Sequence, residues 1–244
     1  CTYCIVPSVR GKEISRPFND IVDEVRQLAQ TGVTEVSLLG QNVNSYGRDL
    51  SLTARKEGDA SVKVRPQFGE LLRAVGSVEG IRRVRYVSPH PKDMNLETLQ
   101  AMAQVDAVCE HLHYPLQSGS DRVLSLMHRG YSAEKYLARL AEARALIPDL
   151  AATTDIIVGF PGETEEDFQQ TMDVAAQAMF DSAYLFIFSP REGTQAATMQ
   201  DQFVDAEVAG DRYNRIKVVL DRTALIKHQE RIGRIEEVIV EGVN

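Results

Sequence analysis

The sequence predicts an α/β fold in which parallel strands form a partial (β/α) TIM-like barrel. Helical patterns alternate with short, nearly continuous apolar strands from about residue 18 onward, which is typical of a parallel sheet buried on both faces. Unusual polar residues also follow several different strands. A barrel gathers its active site from many strand ends, whereas an open sheet concentrates it at one crossover, so the pattern favours a barrel.

The elements can be assigned in order along the chain. Ile21, Val25 and Leu28 repeat at helical spacing, Gly32 is a stop signal, and residues 35–39 follow as a buried strand. Further strands are predicted at 82–87, 111–116, 153–158 and 183–188. Further helices are predicted at 68–75, at 96–102 with Asn95 as N-cap, at 136–146, at 164–179 with a capping box of Thr164 and Asp167, and at 205–231.

Two segments lie outside this alternation. Residues 49–67 are charged and rich in small side chains, so they are predicted to form a surface insertion. After Gly233, the residues Ile235, Val238 and Val240 begin a β-like stretch. We therefore expect residues 1–232 to form the barrel and 233–244 to start a second β domain.

Composition excludes several classes of protein. The net charge of -8 over 244 residues argues against a broad basic surface for nucleic acid. Three cysteines do not make a disulfide framework, and no apolar run is long enough for a bilayer. These features predict a cytoplasmic protein with no membrane partner. Because the first residue is Cys1 and not Met, we expect a piece of a longer protein.

The pair formed by Cys1 and Cys4 is a weak signal by itself. It could be half of a zinc site, a redox dithiol, part of an iron-sulfur cluster, or two incidental thiols. Cys109 has no second cysteine nearby to complete a zinc site. Residues 5–11 are expected to continue as a loop, whereas a thioredoxin-like pair should open a helix.

The polar residues after the strands are candidates for a site, and each has a structural alternative. Asp155 could simply cap a strand end, and Gly159 could be an ordinary turn glycine. His90 could be a rigid loop residue between two prolines, and Arg191 a solvated charge. Cys109 is expected to be a small buried hydrophobe.

The neighbourhood of the two cysteines resembles the radical S-adenosylmethionine (SAM) methylthiotransferase family. Its motif is C-x-x-x-C-x-aromatic-C, and Cys1 and Cys4 match the second and third cysteines, with Tyr3 as the aromatic residue. The resemblance extends through the chain in the segments His113-Tyr-Pro-Leu-Gln-Ser-Gly119, Met127-His-Arg129, Asp155-Ile-Ile-Val-Gly-Phe-Pro-Gly-Glu-Thr164 and Ser189-Pro-Arg-Glu-Gly-Thr194.

The resemblance implies a four-iron, four-sulfur (4Fe-4S) cluster held by Cys1, Cys4 and a third cysteine four residues before Cys1. Three thiolates leave one iron open for SAM, which a single electron then cleaves to a deoxyadenosyl radical. The resemblance also implies the residues that bind SAM. Tyr3 would lie beside the cofactor, Arg129 at the methionine carboxylate, Gln117 and Ser118 at the methionine or ribose, and Asp155 at the ribose. The backbone of Gly159, Phe160 and Pro161 would lie at the adenine, and the site would be lined by Gln41, Ser88, His90 and Arg191.

The branch of the family is suggested by residues 40–46, Gly-Gln-Asn-Val-Asn-Ser-Tyr. They resemble the branch that methylthiolates prenylated adenosine beside the tRNA anticodon, whereas the branch acting on a ribosomal-protein aspartate tends to carry Gln-Asp-Thr there. The same chemistry on carbamoylated tRNA adenosine is a further alternative. The resemblance also implies that the first barrel strand, which precedes the cysteine motif, lies upstream of Cys1. It further implies a flavodoxin or ferredoxin as electron donor, a monomer, a second cluster in a missing N-terminal domain, and a C-terminal TRAM-like RNA-binding barrel.

Two hypotheses of other classes stay open. The chain could be a cluster-free scaffold that has kept the barrel as an interaction module, or an ordinary barrel enzyme that binds a phosphorylated metabolite through residues 159–162. Under the family hypothesis, this piece alone should be a poor catalyst, because the auxiliary cluster and the first cluster cysteine lie outside it.

Overall fold

The computed structural model describes residues 1–61 and 63–240, and its strands are all parallel. They are β1 (Glu35–Leu38), β2 (Arg83–Tyr86), β3 (His111–His113), β4 (Ala151–Val158) and β5 (Ser182–Ile187). β1 pairs with β2, and β3, β4 and β5 pair in that order. An isolated parallel bridge connects Val84 of β2 to Val108, three residues before β3 begins. The strands follow chain order along one open arc, which confirms the predicted partial barrel.

The helices connect these strands. They are α1 (Val6–Arg10), α2 (Phe18–Gln30), α3 (Arg48–Lys56), α4 (Phe68–Gly76), α5 (Leu96–Gln104), α6 (Asp121–Leu126), α7 (Ala133–Leu146), α8 (Glu165–Ala178) and α9 (Ala206–Gln229). Asn95 caps α5 through Thr98, and Thr164 and Asp167 form the predicted capping box of α8. No described helix has both the length and the apolar content to cross a membrane.

Three helices, α1, α3 and α6, form in segments for which none was predicted. The segment after Cys4 forms α1, because Pro7 at its second position favours a helical start, and Gly11 ends it with a φ of 76°. The predicted loop at 5–11 is therefore wrong, and so is the argument against a redox dithiol that depended on it. Within the predicted insertion, α3 is mostly exposed, with Ser51 buried.

The sheet is buried on its outer face only. Along β4, residues alternate strictly between partly exposed and fully buried, and the buried ones face the helices. On β5, Tyr184 and Phe186 are 64% and 51% exposed. The prediction that both faces are buried is therefore wrong, because an open arc leaves its inner face without strands opposite it. This inner face forms a cup.

Cys109 and the end of the chain also differ from expectation. Cys109 is only half-buried; burial raises the pKa of its thiol, and the nearby Arg85 and Glu35 shift that pKa in opposite directions. It therefore lies among charges, not in the apolar core. Residues 233–240 contain no strand, and Glu237 pairs with Arg82 at 2.6 Å. Residues 241–244 of the predicted second domain lie outside the described residues.

Two glycines give a matched test of the packing. A Cβ atom on Gly119 would lie 2.6 Å from the Gln170 carbonyl oxygen and 2.6 Å from Thr171 Cα, whereas nothing lies within 4 Å of one on Gly210. We expect Gly119→Ala to lower the free energy of unfolding by about 1–3 kcal/mol. Gly210→Ala, inside α9, should raise it by about 0.5–1 kcal/mol. Urea unfolding measures the stability of both variants. Equal unfolding midpoints for the two variants would contradict the predicted contact of α8 with Gly119.

Candidate active site

The N-terminal loop is fixed at the carboxyl ends of the strands. The backbone N–H of Thr2 donates to the Met127 carbonyl at 3.2 Å, and its hydroxyl donates to the Leu126 carbonyl at 2.9 Å. The Ala196 N–H in turn donates to the Thr2 carbonyl at 2.9 Å. Thr2 lies between Cys1 and Cys4 in sequence. Both cysteines are therefore held at this end of the cup, which we call the mouth.

Tyr3 connects the loop to the strand ends. Its hydroxyl donates to Gln117 Oε1 at 3.0 Å, and the Gln117 N–H donates to the Asp155 carbonyl at 2.8 Å. Its ring packs edge-on against Phe160. Burial raises the pKa of Tyr3 to about 12, so the phenol stays neutral and remains a donor.

Arg129 is a buried cation beside the cysteines. Its side chain is among the buried polar groups, and Nη1 donates to Cys1 Sγ at 3.2 Å while Nε donates to the Tyr131 hydroxyl at 3.2 Å. The guanidinium forms no ion pair with any of the described carboxylates. A buried charge without an opposite charge is costly, so this position suits an anionic ligand.

Backbone strain is concentrated around the mouth. Ser88 and Gln117 follow β2 and β3, with φ angles of 60° and 66°. Gly159, after β4, has a φ of 71°, which glycine adopts without strain. His128, with a φ of 55°, directly precedes Arg129. Non-glycine residues in the left-handed region are costly and often occur at functional sites. The strain therefore supports this edge of the sheet as the site.

His90 is a neutral residue at the same edge. Burial lowers its pKa to about 4, and Arg129 adds to this shift. Its Nδ1 accepts from the Lys92 N–H at 3.2 Å, and its ring packs edge-on against Tyr131. His90 therefore forms part of the wall around Arg129.

Among the predicted cofactor contacts, the Ser118 side chain is directed away from the mouth, whereas the adenine contact expected of the backbone at Gly159, Phe160 and Pro161 stays a prediction. Ser118 is fully buried and its hydroxyl pairs with Thr171 of α8 at 3.2 Å. A Cβ atom on Gly159 would lie 2.9 Å from Ala209 Cβ of α9, and the φ of 71° at this residue also favours glycine, as in an ordinary turn. Phe160 and Pro161 are buried beneath the loop.

The remaining predicted residues lie around the rim or on the inner face. Gln41, Ser88 and Arg191 are exposed, and the Ser88 carbonyl accepts from the Val43 N–H at 3.3 Å. Asp155 lies on the inner face, half-buried, where the ring of His113 reaches its carboxylate.

Two residues of the site were missed from sequence. Tyr131 accepts from Arg129 and donates to the Leu116 carbonyl at 3.0 Å, so it links the arginine to the loop after β3. His113 contacts Asp155 Oδ2 at 3.3 Å. Both lie in or beside segments that carry the family resemblance, which is the signal that could have indicated them.

The donor set fits part of an iron-sulfur site. Cys1 and Cys4 are free thiols, and thiolates are the preferred ligands of such clusters. Within residues 1–61 and 63–240, no group of three or more His, Cys, Asp or Glu side chains is placed to hold a metal ion. The two thiols thus match two of the three positions that a cluster with one open iron requires.

The loops after β3 and β4 are held together under the mouth by Asp167. Its Oδ1 accepts from Ser120 at 2.6 Å, its Oδ2 accepts from Thr164, and Arg122 bridges Asp167 and the Gly162 carbonyl. Burial alone would raise the pKa of Asp167, but these hydrogen bonds, led by Arg122, outweigh burial and hold the pKa well below its usual range.

This lowered pKa makes stability depend on pH. A carboxyl whose pKa is lower in the folded state stabilises the fold above its unfolded pKa of about 3.9, and the contribution is lost as pH falls below that value. We expect Asp167→Asn to cost roughly 2 kcal/mol at pH 7 and to lose less stability than wild type from pH 5 to pH 3. Asp173→Asn, on the exposed side of α8, is the control. If Asp167→Asn lost as much stability as wild type between pH 5 and pH 3, the role of this network would be contradicted.

Comparison with known proteins places the chain in a family. The model of the radical SAM superfamily matches residues 1–175. The chain is 48% identical over 242 residues to the tRNA-2-methylthio-N(6)-dimethylallyladenosine synthase of Moorella thermoacetica, covering 99% of this chain and 52% of that protein. It is 49% identical to the enzyme of the same name from Caldicellulosiruptor saccharolyticus, covering 99% and 49%. The chain thus spans about half the length of these relatives.

A solved structure agrees with this fold. Coproporphyrinogen III oxidase from Escherichia coli, described as a radical SAM enzyme, superposes with a TM-score of 0.56 at 16% identity, over 84% of this chain and 46% of that one. Because the superfamily model covers well over half of the chain, with both cysteines in the matched range, the chain belongs to the radical SAM superfamily.

Proposed function

We propose that this chain is the SAM-cleaving barrel of a methylthiotransferase that acts on dimethylallyl-adenosine in tRNA. The observation that carries the proposal is the position of Cys1 and Cys4 at the carboxyl ends of the strands, where Cys1 contacts a buried arginine that pairs with none of the described carboxylates. The 48–49% identity to relatives named for this reaction supports the same activity.

The chain's own residues fit the binding of SAM. A cluster held there would supply one electron to the SAM sulfonium. Arg129 offers a buried cation for the methionine carboxylate, and Asp155 offers acceptor oxygens for the ribose hydroxyls. Tyr3, held neutral and fixed to Gln117, packs beside this space.

The inner face offers a surface for the target base. Tyr184 is the register partner of Asp155, and Phe186 is the register partner of Ile157. Both rings are exposed to the cup, and exposed aromatic rings commonly stack on unpaired RNA bases. The net charge of -8 gives no general attraction to phosphates, so we propose that parts of the enzyme beyond this barrel supply most of the tRNA affinity.

The decisive experiment uses a chimera in which these 244 residues replace the matching segment of the Moorella thermoacetica relative. After anaerobic reconstitution, iron content, visible absorbance and deoxyadenosine release on reduction are measured. The chimera is then assayed on tRNA carrying dimethylallyl-adenosine, on tRNA carrying carbamoylated adenosine, and on the ribosomal protein, with mass spectrometry of the products.

The expected result is a brown protein that releases deoxyadenosine and methylthiolates only the prenylated tRNA. Modification of one of the other two substrates instead would overturn the proposed substrate but keep the radical chemistry. A colourless chimera that does not cleave SAM would overturn the whole proposal and favour a cluster-free scaffold.

A further inference from the structure

Four polar side chains form a continuous chain on the inner face of β3 and β4. His111 Nε2 lies 3.1 Å from Thr153 Oγ1, which lies 3.0 Å from His113 Nδ1. His113 Nε2 lies 3.3 Å from Asp155 Oδ2. Because these strands run in parallel toward the mouth, the chain leads from the floor of the cup to the carboxylate at its edge.

The direction of every hydrogen bond in this chain follows from the carboxylate. An ionised Asp155 only accepts, so the tautomer of His113 that fits this contact carries its single hydrogen on Nε2. Nδ1 is then an acceptor, and the Thr153 hydroxyl must donate to it. That hydroxyl oxygen has only lone pairs left, so His111 Nε2–H must donate to it. Burial lowers the pKa of His111, which keeps that ring neutral at pH 7, as this order requires.

The other carboxylate oxygen has no such partner. No hydrogen bond from the described residues reaches Asp155 Oδ1, and the side chain is 27% exposed at the edge of the cup. One oxygen of this group is therefore held while the other is free to accept from a ligand.

We propose that His113 is a positioning residue: with Thr153 and His111 behind it, it fixes Oδ2 of Asp155 so that Oδ1 can bind the vicinal hydroxyls of a ribose. The identity of that ribose as the one of SAM rests on the function proposed above. The ordering of the chain itself does not, because it follows from the contacts of these four residues alone.

The first test measures histidine tautomers by nitrogen NMR on the 244-residue chain without cluster or SAM. We expect Nε2–H forms for His111 and His113, and a changed His113 spectrum in Thr153→Val that Thr153→Ser restores. His228→Gln, on an exposed residue of α9, identifies one of the five histidine signals and should leave the others unchanged. An Nδ1–H form of His113, or no response to Thr153→Val, would overturn the positioning role.

The second test measures SAM kinetics in the chimera. His113→Phe should raise the KM for SAM about tenfold, as expected for a lost hydrogen bond to a charged group, with kcat changed much less. His113→Gln, which keeps an N–H donor, should recover most of the KM. Equal losses of kcat and thermal stability in both variants would show a merely structural role. Failure of the unsubstituted chimera to cleave SAM would overturn the proposed function, while the NMR result would still decide the positioning role.

Discussion

Replacing Cys4 with serine in the chimera should remove its visible iron-sulfur absorbance and its release of deoxyadenosine. Iron in such clusters prefers soft thiolate ligands, and a serine hydroxyl is a hard and much weaker donor. Cys4 lies in the loop that Thr2 fixes at the mouth, so no other described thiol can take its place. The expected loss is complete, and iron analysis with anaerobic absorbance measures it.

Cys109→Ser is the matched control for this substitution. Cys109 lies beside Arg85 and Glu35, on β2 and β1, and not in the loop at the mouth. The control should therefore keep full iron content and full deoxyadenosine release. If Cys109→Ser lost the cluster while Cys4→Ser kept it, the assignment of the thiols would be wrong.

Replacing Arg129 with glutamine should raise the KM for SAM by about 100-fold, the scale expected when one partner of a buried charge pair is removed. Arg129 is 7% exposed as a whole residue, and its guanidinium contacts Cys1 Sγ and the Tyr131 hydroxyl, so it is largely desolvated before any ligand arrives. Arg129→Lys keeps the charge but loses the planar fork, so we expect an intermediate effect. Initial rates of deoxyadenosine release at varied SAM concentration give the KM for SAM of the unsubstituted chimera and of both variants.

Arg191→Gln provides the control for the arginine, because its side chain is exposed at the rim. It should change the KM for SAM by no more than about twofold, because exposed charges usually contribute little interaction energy. An equal effect of the two substitutions would show that general charge near the mouth, and not the buried position of Arg129, governs binding.

Much of the fold could be predicted from the sequence because local signals and packing agree. The periodic apolar face of α4 is buried as its spacing predicts, and the capping residues Asn95 and Thr164 begin their helices as expected. The predicted strands match the observed ones to within one or two residues at most ends. The short helix α1 was missed because a five-residue helix has too few residues to show periodicity.

The individual site contacts were less predictable, because they depend on which way each side chain points. Ser118 and Gln117 are neighbours in the same motif, yet Gln117 bonds Tyr3 at the mouth while Ser118 bonds Thr171 on the opposite side. A Cβ atom at position 159 would meet Ala209, fifty residues later in the chain, in addition to the local φ of 71° that favours glycine. Neither contact leaves a trace in local sequence.

The sequence by itself determined that parallel strands alternate with helices and that the family's cysteines and polar motifs follow the strand ends, because periodicity and motif spacing are local properties. Only the tertiary structure decided that the inner face stays open, that Arg129 is buried beside Cys1, and that His111, Thr153, His113 and Asp155 form one ordered chain. The physical reason is that burial and hydrogen-bond direction depend on the register between strands far apart in sequence, which no local pattern encodes.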